Sequence, residues 1–368
     1  MTRIDTLRVC LFAKPDSPHT RRIVAGLVEH GVAVHIVYDQ PGQVPGATFE
    51  PFNVPKPSWR HPRRWVPRKL AYLGTFLQNF DVVGVHFLHP WGFWPEVIDK
   101  GCFTVTPWGS DITPPPAGPR PSERTTKMRR IMLRCADGIC ACGQPFCDEI
   151  AEFAGIDRQR IDVVALGVDT NLFRPLPPVT DRPVVGFFKG FGYAYGADHL
   201  IRAMPQIIAA VPDVSFEMIG QGPLLPQCRA LAANLDVTDR IRWRKPVDHD
   251  KLPTTIGRWQ VSVIPSEAES FGVAALESSA MQVPVVASNV GGLPGNVIDN
   301  RTGLLVPPGD SAAIAQAVID LLRDPDRRTD LGAAGRRYVQ EHFEWRDCVR
   351  QWVSFYENAA ARVATGVA

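Results

Sequence analysis

No run of 18 apolar residues occurs in the 368-residue chain, so no membrane-spanning helix is predicted. Residues 1–8 carry charges on both sides of a short apolar segment instead of the basic-then-apolar order of an export signal, and a cytoplasmic chain is expected. The turn after the first predicted strand, residues 13–20, lacks Gly-x-Gly-x-x-Gly, which counts against a dinucleotide-dependent dehydrogenase. Neither sign of charge dominates: 40 Lys and Arg against 38 Asp and Glu leave +2, which carries no global signal for nucleic acid. The eight cysteines also lack a zinc spacing. Their one cluster, Cys135, Cys140, Cys142 and Cys147, reads C-x4-C-x-C-x4-C, and buried thiols in a reducing compartment are expected instead.

What is present is an alternation of strands and helices. With 45% hydrophobic and 21% charged residues, the composition is that of an ordinary globular protein, and the length suits two domains. Strands are predicted at 7–12, 32–38, 81–87, 102–107, 138–142 and 161–165, with helices at 20–30, 124–136 and 144–154. This β-α-β order implies a doubly wound parallel sheet, whose ligands bind beyond the carboxyl ends of the strands. Pro175, Pro177 and Pro178 mark a connector, and a second β-α-β domain starts at Val184.

The most informative stretch is 265–277, Pro-Ser-Glu-Ala-Glu-Ser-Phe-Gly-Val-Ala-Ala-Leu-Glu. A β-branched run at 259–264 precedes it and a helix at 273–280 follows. Backbone N–H groups of Ser270, Phe271, Gly272 and Val273 would then point out of a helix N-terminus, where the dipole favours an anion such as a diphosphate. Glu269 sits at the mouth of the turn and Glu277 two helical turns on. An ionised carboxylate is acceptor-only, suited to sugar and ribose hydroxyls. Acidic residues near a helix start also stabilise the helix with no ligand at all.

The neighbourhood favours the ligand. Gly220-Gln221-Gly222-Pro223, the Glu269-x7-Glu277 pair, Pro284-Val285-Val286-Ala287-Ser288, Gly291-Gly292-Leu293-Pro294 and 302–310 follow one another in an order that resembles retaining glycosyltransferase family 4, of the GT-B fold. Gly167-Val168-Asp169 resembles that family's link into its second domain. The resemblance implies two Rossmann-like domains facing across a cleft: an acceptor domain at 1–175, a nucleotide-sugar donor domain at 176–345, and a helix at 346–368 crossing back to the first. It implies a hydroxyl acceptor, retention of anomeric configuration, no cofactor and no catalytic metal.

Site residues follow position by position. Lys189, before Gly190, takes the place of a basic residue aimed at the diphosphate, while Tyr195 stands where the family has a Lys. Trp243 and Arg244 fall near the expected base and ribose, with Lys245 in a place that is usually Gly, and Gly295 replaces a common Glu. In the first domain, Trp108-Gly109-Ser110-Asp111 resembles a subgroup carrying this motif. There Trp108 stands where many relatives have a His, and Asp111 is the ionisable candidate to orient or deprotonate an acceptor, or else a turn cap. His19, His86 and His89 are further candidates for the cleft.

Residues 1–175 hold 21 basic and 17 acidic side chains, the remainder 19 and 21. Lys56, Arg60, Arg63, Arg64, Arg68 and Lys69, and a second group from Arg120 to Arg134, suit an anionic acceptor or the inner face of a membrane, or are simply solvated faces. Two other functions stay open, a catalytically silent sugar-nucleotide binder and a sugar-nucleotide epimerase of the same fold. The paired glutamates and the Gly-Val-Asp link argue against the epimerase.

Overall fold

The computed structural model describes residues 6–38, 42–51, 75–88, 101–177 and 182–366. They form two compact units. One takes residues up to Thr113, Arg120–Leu166 and Arg346 onward; the other takes Gly167–Trp345 with the segment Pro114–Pro119.

In the first unit, β1 (Arg8–Phe12), α1 (Pro18–Glu29), β2 (Ala33–Tyr38), β3 (Thr48–Pro51), β4 (Val82–His86), β5 (Cys102–Thr106), α2 (Glu123–Cys135), β6 (Gly138–Ala141), α3 (Gln144–Ala154) and β7 (Ile161–Val163) follow in order. The strands pair in parallel as β3-β2-β1-β4-β5-β6-β7. Strands β4 and β5 are buried along their whole length, as expected of a parallel sheet covered on both faces. Ile23 and Leu27 of α1 and Met132 and Leu133 of α2 are buried in that covering layer.

The second unit runs β8 (Val184–Phe187), α4 (Ala197–Ala210), β9 (Ser215–Ile219), α5 (Leu225–Asn234), β10 (Ile241–Arg244), α6 (Leu252–Ile256), β11 (Val261–Ile264), α7 (Val273–Ala280), β12 (Val285–Ser288), α8 (Leu293–Asn296), β13 (Gly303–Val306), α9 (Ser311–Arg323) and α10 (Pro325–His342). Its parallel sheet is ordered β10-β9-β8-β11-β12-β13. One face packs Phe187, Phe216, Met218 and Val263 against Leu200, Met204, Ile314 and Val318; the other packs Ile264, Val285 and Ala287 against Ala274, Ala275 and Leu293.

In each sheet the chain winds outward in both directions from its first strand. The switch points are therefore β1/β4 and β8/β11, where ligands of such sheets bind. The last helix, α11 (Trp345–Thr365), buries Trp352, Phe355, Tyr356 and Ala359 in the first unit. Trp352 donates through Nε1 to the Ala165 carbonyl at 3.2 Å. No helix among the described residues is long and apolar enough to cross a membrane.

Candidate active site

Four loops leave the carboxyl ends of β8, β9, β11 and β12, and backbone hydrogen bonds lock them together. Phe191 N donates to Gln221 O at 3.0 Å and Leu224 N to Phe191 O at 3.0 Å; Glu267 N donates to Ala194 O at 2.8 Å and Gly292 N to Glu269 O at 2.9 Å. The β8 and β9 loops approach so closely that a Cβ on Gly220, whose φ is +145°, would lie 2.5 Å from the Lys189 carbonyl. Only glycine fits such a contact.

Lys189 and Glu269 meet inside this frame. Nζ donates to Oε2 at 2.5 Å, and the side chains are 13% and 10% exposed. The Lys189 ammonium also lies 4.6 Å from the centroid of the Tyr195 ring, a cation-π distance. Burial acts to lower the Lys189 pKa, but Glu269, Tyr195 and Glu277 outweigh it and hold it above the ordinary lysine value. Tyr195, a departure from the pattern in sequence, thus supports the one lysine with its ring. Ser266 Oγ adds a 3.4 Å hydrogen bond to Glu269.

The turn bearing Glu269 leads through Gly272, at φ +94°, into α7. Helices leave their first N–H groups without intrahelical partners, and those of α7 face the same end as the Lys189–Glu269 pair. Asn296 Nδ2 donates to the Phe271 carbonyl at 2.5 Å and fixes the turn from behind. Glu277, 5% exposed, accepts a 3.0 Å hydrogen bond from His249 Nε2. Lys189, Gly190, Glu269, the 270–273 turn and Glu277 are therefore brought together.

Trp243 and Arg244 have other partners. Trp243 packs against the unit's main core with its ring 5.8 Å from Phe191, and Arg229 lies over it at 5.5 Å. Arg244 Nη1 donates to Glu217 Oε1 at 2.9 Å, and the second oxygen of that buried carboxylate accepts from Trp259 Nε1 at 2.8 Å. Arg244 thus neutralises a buried acid. Lys245 is exposed, and the Gly295 carbonyl accepts from Tyr338 Oη at 2.8 Å.

The first unit gathers its candidates at its own switch point. Asp111 is fully buried; Oδ2 accepts from Leu88 N at 2.8 Å, and Oδ1 from Trp108 N at 3.0 Å and Gly109 N at 2.9 Å. Arg129, also buried, donates to the carbonyls of Leu88 and Asp111, both at 2.9 Å. Burial raises the Asp111 carboxyl above the usual aspartate range, and those amides offset part of the rise. This is the geometry of the turn cap, joining the β4 and β5 loops. Asp111→Ala should destabilise the protein by about 3–5 kcal/mol, the cost of stripping a buried charged acceptor from three amides. Chemical denaturation measures it; an unchanged midpoint with lost activity would instead assign Asp111 to proton transfer.

His86 is buried, with Nε2 2.8 Å from Tyr356 Oη. The Trp108 ring stacks on His19 at 5.6 Å between centroids and meets His86 edge-on at 5.5 Å. His89 lies outside the described residues. Burial lowers the His86 pKa from 6.5 to about 3, so between those values the unfolded chain holds the extra proton. Stability is then lost as pH falls from about 6.5 toward 3, by up to a few kcal/mol from this group. Melts at pH 7.5 and pH 5 should show a smaller loss in His86→Gln than in the wild type; equal losses would refute the assignment.

The basic stretch from Lys56 to Lys69 lies outside the described residues. In the second group, Arg129 is buried as above, and Arg130 and Arg134 donate to Phe153 O at 2.8 Å and Ala154 O at 2.6 Å, satisfying carbonyls at the end of α3. Arg120, Arg124 and Lys127 are exposed. Among the eight cysteines, Cys140, Cys142 and Cys147 are buried and Cys135 is exposed. No group of three or more His, Cys, Asp or Glu side chains is placed to hold a metal among the described residues.

Residues 17–172 match the family model described as Glycosyltransferase Family 4, and residues 168–338 the model described as Glycosyl transferases group 1. A GDP-mannose-dependent alpha-(1-6)-phosphatidylinositol monomannoside mannosyltransferase of Mycolicibacterium smegmatis is 35% identical over 49% of this chain and 52% of its own. The chain thus spans about half the length of that relative. Alpha-maltose-1-phosphate synthase of the same organism is 27% identical over 82% of this chain and 79% of its own. Among solved structures, sucrose-phosphate synthase of Thermosynechococcus elongatus superposes with a TM-score of 0.81 at 23% identity, covering 96% and 99% of the two chains. Anabaena HepE with UDP-glucose gives 0.76 at 16% identity over 98% and 100%. With glycosyltransferase family models matching both halves and two parallel-sheet Rossmann-like units, the chain has the GT-B fold and resembles the glycosyltransferases built on it.

Proposed function

We propose that the protein transfers a sugar from a nucleoside diphosphate sugar to a hydroxyl acceptor, with retention of configuration and without a metal. The observation that carries this reading is the Lys189–Glu269 pair, partly buried at the β8/β11 switch point against the N-terminus of α7. Each charge satisfies the other. A donor gives both new partners at once, its diphosphate taking Lys189 and the α7 amides and its sugar hydroxyls taking Glu269. Neither charge is left buried alone, which would cost several kcal/mol. Glu277 accepts from the ribose hydroxyls.

In the reaction the bond between the anomeric carbon and the phosphate oxygen breaks and its electron pair goes to the diphosphate. The acceptor oxygen bonds to that carbon on the same face, and its proton passes to the departing phosphate. Lys189 and the helix amides stabilise the growing charge by preorganised electrostatics. The sugar passes through an oxocarbenium-like centre, as in glycoside hydrolysis, and Glu269 holds it there by its hydroxyls. Asp111 acts as a positioning residue for the Trp108 loop. The names of the relatives put GDP-mannose and UDP-glucose on the donor panel and lipid-linked and inositol acceptors beside them; exposed Arg120, Arg124 and Lys127 suit an anionic acceptor or the inner face of the membrane.

The test is incubation of the protein with UDP-, GDP-, ADP- and dTDP-sugars in chelator, with and without acceptors, following nucleotide release by mass spectrometry. Release from one donor, increased by an acceptor, is expected. Conversion to an isomeric sugar nucleotide would make the protein an epimerase; binding with no release under any acceptor would make it a silent binder.

A further inference from the structure

Glu277 is held by a residue that the spacing of motifs does not single out. His249 opens a short 3-10 turn, His249–Lys251, ahead of α6, and its Nε2 lies 3.0 Å from Glu277 Oε1. An ionised carboxylate can only accept, so Nε2 carries the hydrogen. The imidazole is itself held edge-on against Phe173, 5.1 Å between centroids, a ring that is 0% exposed. The flanking carboxylate of Asp248 pairs with Lys251 at 2.9 Å. The nearby ammonium of Lys189 is 2.5 Å from Glu269. One oxygen of Glu277 is thereby tied to the imidazole, which limits the orientations of the carboxylate.

We propose that His249 is a positioning residue for Glu277, and that through it the site distinguishes ribose from 2′-deoxyribose in the bound nucleotide. This rests on the reading of Glu277 as the ribose acceptor. A carboxylate held in one orientation can accept from both vicinal hydroxyls. Freed of the imidazole, it turns toward other donors and gains little from the second hydroxyl. Removing His249 therefore costs the ribo form its advantage, whereas a merely structural loss weakens both forms alike.

The experiment titrates UDP, GDP and ADP, each beside its 2′-deoxy form, into the full-length wild type, His249→Ala and His249→Gln. Comparing two ligands within one protein makes the ratio independent of any misfolded fraction. The wild type should bind the ribo form of its preferred nucleotide about tenfold tighter, the worth of one hydrogen bond to a charged group. His249→Ala should shrink that ratio to within about threefold, and His249→Gln, which keeps an N–H donor, should retain most of it. Equal weakening of both forms in His249→Ala overturns the inference and leaves the donor site standing. Equal binding of the two forms by the wild type overturns the Glu277 assignment as well, and no nucleotide binding by the wild type overturns the donor site itself.

Discussion

Glu269→Ala should lower kcat for sugar transfer by about 100- to 1,000-fold, the loss of roughly 3–4 kcal/mol that accompanies removal of one preorganised electrostatic contact from a reacting centre. The fold should survive the change, at a cost of several kcal/mol for the Lys189 ammonium left without its carboxylate. The loop is held by its backbone, through Gly292 N to Glu269 O and Glu267 N to Ala194 O, and among the described residues the carboxylate accepts hydrogen bonds from Lys189 and Ser266. Lys189 in the variant keeps the Tyr195 ring at 4.6 Å and remains free to meet a diphosphate. Nucleotide affinity should therefore change much less than turnover. Steady-state kinetics beside nucleotide titration make the comparison; a variant with normal kcat would remove Glu269 from the chemistry.

Gly291→Ala should destabilise the second unit by about 2–4 kcal/mol or more and cost about 100-fold in activity at temperatures where it still folds. Gly291 has φ +53°, and a Cβ there would stand 1.8 Å from the Glu269 carbonyl oxygen. The left-handed backbone costs about 1 kcal/mol for a residue with a side chain. The clash adds the overpacking penalty of about 1–3 kcal/mol or more. The atom pushed away belongs to Glu269, so relief of the clash moves the carboxylate, and a displacement of about 1 Å in a positioning element can cost 100-fold. Gly295→Ala is the control, since a Cβ there meets nothing within 4 Å. Equal stability and activity of Gly291→Ala and Gly295→Ala would contradict this account of the Gly-Gly turn.

Much of the fold was legible because parallel strands and amphipathic helices write strong local patterns. The helices at 144–154 and 273–280 are observed as Gln144–Ala154 and Val273–Ala280. The strand expected at 259–264 begins only at Val261, because the Trp259 N–H closes the turn after α6 on the Ile256 carbonyl. Strand β3, Thr48–Pro51, pairs with β2 at the edge of the sheet formed by the described residues and is too short for a period to show. The last helix, expected at 346–368, is observed as Trp345–Thr365, with Ala359 and Ala360 continuing its buried face.

Motif order singles out Lys189, Glu269, the 270–273 turn and Glu277, which the structure brings together in the candidate site, but not their pairings. Lys189 and Glu269 are 80 residues apart, His249 and Glu277 28, His86 and Tyr356 270. Such contacts depend on which strands and helices become neighbours. Tyr195 shows the limit most clearly: as a substitution for a cation it signals loss, yet its ring faces the remaining one. Arg244 and Asp111 show the converse, side chains of the right type whose polar atoms go to a buried acid and to backbone amides.

We place the nucleotide-sugar site in the loops at the carboxyl ends of β8, β9, β11 and β12. Hydrogen-deuterium exchange of the wild type, with and without the nucleotide that binds best, addresses it directly. Slower exchange confined in the second unit to residues 188–196, 220–224, 265–273 and 289–292 is the predicted result. Protection elsewhere in that unit, with these four segments unchanged while the nucleotide is bound, would contradict it.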